Sequence, residues 1–521
     1  MQVEDFLEQS ARVRPDKTAL IYARRRWTYR ELDEHANRLA HALCGAGLER
    51  WDRVAIQLEN SVEALLAVFA TLKSGGVFLL INPQVKPDKL AYILNDSGAT
   101  MFVTSSANAA RIPEIIDRLP ALVTVVTVGP GDQRHLDLSA CGLRSIALED
   151  AVESAAGGSQ PPAARNIDID LAALIYTSGS TGVPKGVMLT HRNIVAAATS
   201  ITKYLDNTPD DVILNVLPLS FDYGLYQAFM AFKTGATLVL ERSFGYPREM
   251  IRTIVRERVT GLPLVPTMST LLLQLDLTKH DFSSLRYITN TAAALSTGNI
   301  RRLREAFPHV KIFSMYGLTE CKRVSYLPPD QIDVRPTSVG RGMPNEEVYI
   351  VDADGRKVGP GVVGELVVRG ANVMKGYWNQ PMETARVLKP GPFPDEKVLY
   401  TGDLFRMDDE GYLYWVARKD DIIKTRGEKV SPREVEEAIV RLPGVADVTV
   451  FGVADEVLGE AIAAVVIPME GAALSVEDVR RHCGRHLEYF MVPKFVDIRD
   501  SLPVTDNGKP NRHALRLDVT G

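Results

Sequence analysis

LAALIYTSGSTGVPKG, residues Leu171 to Gly186, joins an apolar strand-like run to a loop of glycines and hydroxyl side chains closed by Pro184-Lys185. Gly179 and Gly182 permit backbone turns that other residues resist, so successive amides can face one polyphosphate. Thr177, Ser178, Ser180 and Thr181 add hydroxyl donors, and Lys185 adds a cation. Such a loop suits a nucleoside triphosphate. It is not a Walker A loop, because no Gly-Lys-Ser/Thr stands at the spacing that motif requires.

Outward from this loop the chain alternates helical and strand periods. YRELDEHANRLAHALCGAG reads as an amphipathic helix, VAIQL as a strand, SVEALLAVFATLKSG as a helix and GVFLLI as a strand. The alternation predicts βα units around mostly parallel sheets. Between Gly129 and Asp170 it fades into GPGDQRHLDLS and ESAAGGSQPPAARN, which reads as a surface connection. It returns with AALIY, VILNVL and ATLVL. After Ser338, EVYIVDADGRKVGPGVVGELVVRG predicts a β-rich subdomain with turns at Asp354-Gly355 and Gly361. Gly359, Gly361 and Gly364 match G-x-G-x-x-G, but a strand pattern follows where a dinucleotide site needs a helix N-terminus. The last hundred or so residues carry a compact α+β pattern, with a boundary placed near Asp420.

The chain has 521 residues, 45% hydrophobic and 24% charged, which is ordinary globular composition. Its formal net charge of -5 supplies no positive field for a nucleic-acid backbone or an anionic membrane. The four cysteines form no Cys-x-x-Cys pair and stand beside no metal-spaced histidine, so free thiols in a reducing compartment are expected. The N-terminal MQVEDFLEQSARVRPDK lacks the basic start and apolar centre of a signal peptide. Ala64 to Ile81 is broken by Lys73, Ser74, Gly75 and Gly76, so no membrane span is expected. The expected location is cytoplasmic.

Four further strings stand downstream of the loop: YGLTE at Tyr316 to Glu320, YTGD at Tyr400 to Asp403, RKDDIIKTRGEKVSP at Arg418 to Pro432, and LPVTDNGKPNR at Leu502 to Arg512. With YTSGSTGVPKG they make five separated motifs in the order found in the adenylate-forming superfamily of acyl-CoA synthetases, amino-acid adenylating enzymes and firefly-type luciferases. The sequence resembles that superfamily over nearly its whole length, and most resembles an AMP-forming acyl-CoA or acyl-carrier-protein ligase.

The resemblance implies a large N-terminal domain, residues 1–419, built of two βα-layered sheet subdomains and a β-rich subdomain. A small, mobile α+β domain, residues 420–521, would hinge at Asp420. It implies ATP and Mg²⁺, with CoA or phosphopantetheine as thiol co-substrate. Thr177 through Gly182 and Lys185 would hold the β- and γ-phosphates. Ala292, Ala293 and Ala294 would pass along the adenine and Tyr316 would lie against it, Gly317 would join the ATP site, Thr319 would contact the α-phosphate, and Glu320 would help hold the metal. Asp403 and Arg418 would reach the ribose, where a carboxylate suits paired hydroxyl donors. Lys509 would be the catalytic lysine, bridging substrate carboxylate and α-phosphate as charge builds. Gly427 would line the thiol's approach.

Phe221 would stand at the mouth of the acid pocket, with Asp222, Tyr223 and Tyr226 on its wall. Asp222 has two readings: a counter-ion for a substrate ammonium, as in amino-acid adenylating relatives, or a backbone-bonded helix terminus. YGLTE taken alone also fits a helix start with Thr319 and Glu320 as capping groups. His191 reads as the start of a helix, and Cys321 as a small packed residue. The partners implied are a small carboxylic acid, ATP and, as an alternative acceptor to CoA, an acyl- or peptidyl-carrier protein, without nucleic acid. The oligomeric state is left open.

Overall fold

The structure, a computed structural model, describes residues 1–154, 158–163, 166–178, 184–291, 295–419, 421–425, 428–455, 457–503 and 515. The expectations for Gly179, Ser180, Thr181, Gly182, Ala292, Ala293, Ala294, Asp420, Gly427 and Lys509, and for the side chain of Ser178, lie outside the described residues. The chain divides into two compact units. One comprises Met1–Thr337, Gly342–Glu347 and Val368–Leu399, and the other Ser338–Arg341, Val348–Val367 and Tyr400–Gly521.

The first unit holds two sheets. In one, the strands run in the order Gly376–Tyr377, Pro184–Thr190, Leu171–Ser178, Val77–Leu80, Arg53–Gln57, Met101–Ser105, Thr124–Val128 and Arg144–Ala147. From Leu171–Ser178 outward to Arg144–Ala147 every pairing is parallel. In the other, Ser325–Tyr326, Lys311–Tyr316, Tyr287–Asn290, Gly261–Leu264, Val212–Asn215, Thr237–Leu240, Thr18–Tyr22 and Arg25–Thr28 follow one another. The expected βα alternation is therefore present. The stretch from Gly129 to Asp170, read as a connection, instead contains the edge strand Arg144–Ala147 and the helix Leu148–Ser154. Elements of four and seven residues are too short to print a period, and only pairing with Thr124–Val128 reveals the strand.

Two helices apolar almost all round form the inner layer, as full burial demands. Val62–Lys73 starts from Ser61, whose hydroxyl accepts the amide of Ala64, and Asp222–Thr234 ends at Gly235 in a left-handed conformation. Phe69 of the first meets Phe229 and Phe232 of the second at 6.2 and 5.6 Å, and Phe78 joins Phe229 at 6.4 Å. Each such buried ring contributes on the order of 2–3 kcal/mol. Lys73, the charge that breaks the apolar stretch, is buried between Glu8 at 2.6 Å and Asp33 at 2.9 Å. Among the described residues no helix is long and apolar enough to cross a membrane.

The second unit ends in an α+β layer. The long hairpin Val445–Asp455 and Gly459–Pro468 is flanked by Ile423–Thr425 and by Phe495–Ile498, and Glu428–Val430 pairs with Ile423–Thr425. The helices Pro432–Val440 and Val476–His486 cover one face through Val435, Ile439, Val479 and Cys483, packed on Val450, Ile462 and Val466. The strand Gly364–Gly370 begins at the last glycine of the G-x-G-x-x-G match, so that match runs into a strand and not a helix, and marks no dinucleotide site.

Candidate functional site

The strands on either side of the Ser/Thr/Gly loop form a hairpin. Leu171–Ser178 pairs antiparallel with Pro184–Thr190, placing Thr177 opposite Lys185 and Ser178 opposite Pro184. Gly376–Tyr377 continues the sheet on the far side, with Tyr377 opposite Val187. A Cβ at Gly186 would meet the ring of Tyr176 at 3.1 Å and Trp378 at 3.3 Å, so glycine lets the return strand lie against both.

Lys185 does not project alone. Its Nζ lies 2.6 Å from Oε2 of Glu383, on the helix Pro381–Val387, and 5.4 Å from the ring centre of Tyr377. The hydrogen bond from Lys185 is the largest cause holding the Glu383 carboxyl below its ordinary value. The hydroxyl of Tyr377 in turn donates to Oε1 of Glu320 at 2.7 Å. Tyr377 thus stands between the cation of the first motif and the carboxylate of the second. Neither Tyr377 nor Glu383 was singled out from sequence, since nothing near GYWNQPMET repeats or spaces like a motif.

Tyr316 ends the strand Lys311–Tyr316, and the parallel neighbour Tyr287–Asn290 ends beside it, with Asn290 opposite Ser314. The segments leading from both strands therefore leave the same carboxyl edge, where open α/β sheets bind ligands. No helix begins at YGLTE; Thr319 and Glu320 lie in a turn, so the capping alternative is not what the chain adopts. A Cβ at Gly317 would lie 2.3 Å from the carbonyl of Lys322, which fixes glycine there.

The turn continues through Cys321, Lys322 and Arg323. Cys321 is fully buried and burial pushes its thiol far up, consistent with a packing residue. Lys322 takes a left-handed backbone with φ of 67°, uncommon for a side chain of this size. Asn372 holds it there: its amide donates to the carbonyls of Cys321 at 2.9 Å and Arg323 at 3.1 Å. The same amide reaches Glu346 at 2.7 Å, whose carboxyl burial drives well up.

The helix Asp222–Thr234 carries the expected acid-pocket residues. Phe221 is its N-cap and half-buried, Asp222 opens the first turn, and Tyr223 and Tyr226 are buried. The Tyr223 hydroxyl meets the carbonyl of Thr289 at 2.9 Å and its Oγ1 at 2.7 Å. Asp222 lies 3.4 Å from Nζ of Lys322, which also sits 4.5 Å from the Tyr226 ring centre. Burial pulls the Lys322 ammonium down to about 7, with Asp222 opposing that shift. The guanidinium of Arg323 donates to Thr291 at 2.7 Å and lies 5.6 Å from the Tyr223 ring centre. Lys322 and Arg323 were missed in the sequence reading, although they stand directly after YGLTE-Cys.

In the second unit Asp403 and Arg418 are opposite one another on the antiparallel strands Lys397–Met407 and Leu413–Arg418, with Nε of Arg418 3.2 Å from Oδ1 of Asp403. Gly402 is left-handed, φ 72°, and its amide donates to Glu365 at 3.0 Å. His191 begins the helix His191–Tyr204 behind a Thr190–Asn193 capping box. Its Nδ1 accepts from the amide of Val3 at 3.1 Å and lies 3.3 Å from Oε2 of Glu4. Burial lowers His191 to about 4 and raises Glu4 to about 7, so both favour their neutral forms.

Among the described residues no group of three or more His, Cys, Asp or Glu could hold a metal. Glu320 offers one carboxylate, which fits Mg²⁺, an ion bound by one or two carboxylates and otherwise by phosphate oxygens and water.

Two family patterns cover the chain: AMP-binding enzyme over residues 7–378 and AMP-binding enzyme C-terminal domain over residues 434–509. The long-chain-fatty-acid–CoA ligase of Escherichia coli O157:H7 is 32% identical over 99% of this chain and 94% of its own length. Tyrocidine synthase 3 of Brevibacillus parabrevis is 30% identical over 98% of this chain, which spans only 8% of that protein's length. The crystal structure of ATP-bound MatB from Rhodopseudomonas palustris superposes with a TM-score of 0.89 at 31% identity, covering 99% of both chains. With the hairpin strands that flank its Ser/Thr/Gly loop, its YGLTE turn at the sheet's carboxyl edge and these matches, the chain belongs to the AMP-binding enzyme family, the adenylate-forming acyl-CoA ligases and adenylation domains.

Proposed function

We propose that this protein is an AMP-forming acid–thiol ligase. A carboxylate oxygen of the substrate bonds to the α-phosphorus of ATP, the bond to the β-phosphate bridging oxygen breaks, and pyrophosphate leaves. A thiolate, of CoA or of a phosphopantetheinylated carrier protein, then attacks the acyl carbon and displaces AMP. The thiol's proton passes to solvent.

The first step brings two anions together, so the site must neutralise charge and fix an in-line approach. The observation that carries this reading is the chain Lys185, Tyr377, Glu320 at the loop and turn of the two family motifs. Lys185 exchanges Glu383 for phosphate oxygens, and Tyr377 orients the Glu320 carboxylate toward Mg²⁺. Bound Mg²⁺ supplies a cation that offsets phosphate charge. Thr177, Ser178, Gly179, Ser180, Thr181 and Gly182 enclose the phosphates, and Asp403 with Arg418 takes the ribose. Lys509, in Gly508-Lys509-Pro510, supplies the transition-state cation. Residues 420–521 swing about Asp420 to withdraw it, after which Gly427 borders the thiol's path. The proposed location is the cytoplasm.

The acid is not an α-amino acid. Asp222 already has a cationic partner in Lys322, and a second ammonium beside Lys322 and Arg323 would be repelled. ATP–pyrophosphate exchange over an acid panel, followed by mass-spectrometric detection of acyl-AMP and of thioester, tests the proposal. Exchange by the parent and its loss in Lys509→Ala support it. Undiminished exchange in that variant removes Lys509 from the mechanism.

A further inference from the structure

Lys322 is costly to place, in backbone and in charge. Its φ of 67° is left-handed, a conformation that glycine takes freely and a long side chain seldom does. Its side chain is 3% exposed, so the ammonium has left water, and it meets Asp222 at 3.4 Å, long for a charge-assisted hydrogen bond. Strain of this kind persists where the surrounding structure enforces it, and it gathers at functional sites. Here Asn372 enforces it, donating to the carbonyls on either side, Cys321 at 2.9 Å and Arg323 at 3.1 Å.

The volume that the side chain fills shows what this cost achieves. From the turn after Glu320 it runs onto the helix Asp222–Thr234, with Nζ 4.5 Å from the ring centre of Tyr226 and 5.5 Å from that of Tyr223. Between it and Gln227, Met230 and Met315 the remaining void is about 10 Å³, barely one water. An acyl chain that reached Lys322 would have to stop there. Lys322 also follows Thr319 by three residues, a stretch that spans at most about 11 Å when fully extended. The proposed α-phosphate contact and this stop are therefore only a short acid's length apart.

We infer that Lys322 determines specificity: its side chain is the floor of the acid pocket, and its bulk restricts the ligase to acids with a short chain. The inference rests on the ligase reading above, with Asp222 and Tyr226 on the pocket wall, and gives that reading a substrate class. Asp222 is then a positioning residue for Lys322 and not a receptor for a substrate amine. Lys322→Gly would relieve the backbone and vacate the volume of about five chain atoms.

The test is ATP–pyrophosphate exchange by the full chain with the straight-chain acids from acetate to palmitate, with benzoate and glycine alongside. The parent's kcat/KM should peak at or before hexanoate and fall at least about 10-fold for each methylene past the peak. Lys322→Gly, combined with Asp222→Asn so that no carboxylate is stranded, should move the peak to acids longer by about three to five carbons. Lys322→Met in the same background keeps the bulk without the charge and should leave the peak in place. A parent that takes octanoate or palmitate as well as its best short acid overturns the inference and leaves the ligase reading standing, whether or not the variants fold. So does a folded Lys322→Gly variant whose peak has not moved, or a Lys322→Met variant whose peak moves with it. Exchange only with benzoate or glycine overturns the inference alone, and no exchange with any acid overturns the ligase reading as well.

Discussion

Lys185 and Lys322 each meet one carboxylate, and the outcome differs. At Lys185 the pair dominates: the contact is 2.6 Å, and Glu383 is pulled below its ordinary range. At Lys322 burial dominates: the contact is 3.4 Å, and the ammonium falls to about 7 despite Asp222. A well-made, partly wet pair can trade its partner for a phosphate at little cost, whereas a sunken amine gains less from its carboxylate than it loses by leaving water. The proposed phosphate end is thus pre-neutralised, and the basic groups beside the proposed acid pocket are only partly compensated.

Four measurements would break or sharpen this contrast. The largest effect is expected at the phosphate end: Glu320→Ala should lower the rate of acyl-AMP formation about 1,000-fold, equivalent to about 4 kcal/mol. Its melting should stay near the parent's, since Glu320 is half-buried and held by one hydroxyl. A rate within a few-fold of the parent's would remove Glu320 from the chemistry.

Second, Lys322→Met should cost about 3 kcal/mol in urea unfolding, because it strands Asp222 beside an apolar side chain. Adding Asp222→Asn should recover most of that loss. Strict additivity of the two changes would show that the pair is not coupled.

The third concerns a buried pair that escapes charge altogether. His191, lowered from 6.5 to about 4, adds stability that is present above pH 6.5 and lost as pH falls through 4. Glu4, raised from 4.5 to about 7, adds stability present below pH 4.5 and lost as pH rises through 7. Between those limits the two oppose each other, so this pair together adds almost no pH dependence to stability from pH 4.5 to 6.5. Glu4→Gln removes one side of the balance, and stability should then climb by about 2 kcal/mol over that window. A flat profile for the variant would refute the assignment.

The smallest effect belongs to Glu383→Gln. Releasing Lys185 from its competitor should lower KM for ATP about threefold, with folding stability changed by less than ~1 kcal/mol. A raised KM would mean that Glu383 positions Lys185 and does not compete for it.

The alternation of helices and strands around the Ser/Thr/Gly loop was legible because apolar strand runs and long amphipathic helices print their periods on the chain, as in Tyr29–Gly45 and Leu171–Ser178. Arg144–Ala147 was not legible, since four residues at a sheet edge carry too few periods to register. In the proposed site, Thr177, Lys185, Tyr316 and Glu320 were singled out because loops that face a nucleotide have few admissible compositions. Tyr377 and Glu383 were hidden because their importance lies in a sheet pairing between segments nearly two hundred residues apart. Lys322 looked like any charge in a loop. Only the fold shows that it points inward, and that a distant asparagine fixes its backbone.

That asparagine has a consequence for anyone redesigning substrate choice. Asn372 clamps the Cys321–Arg323 turn beside the proposed acid pocket from the same short strap that, five residues on, sets Tyr377 against Glu320. Substitutions in the strap made to accommodate a new acid would therefore retune the nucleotide end as well. Libraries confined to the helix Asp222–Thr234 offer the cleaner route to altered specificity with turnover kept intact.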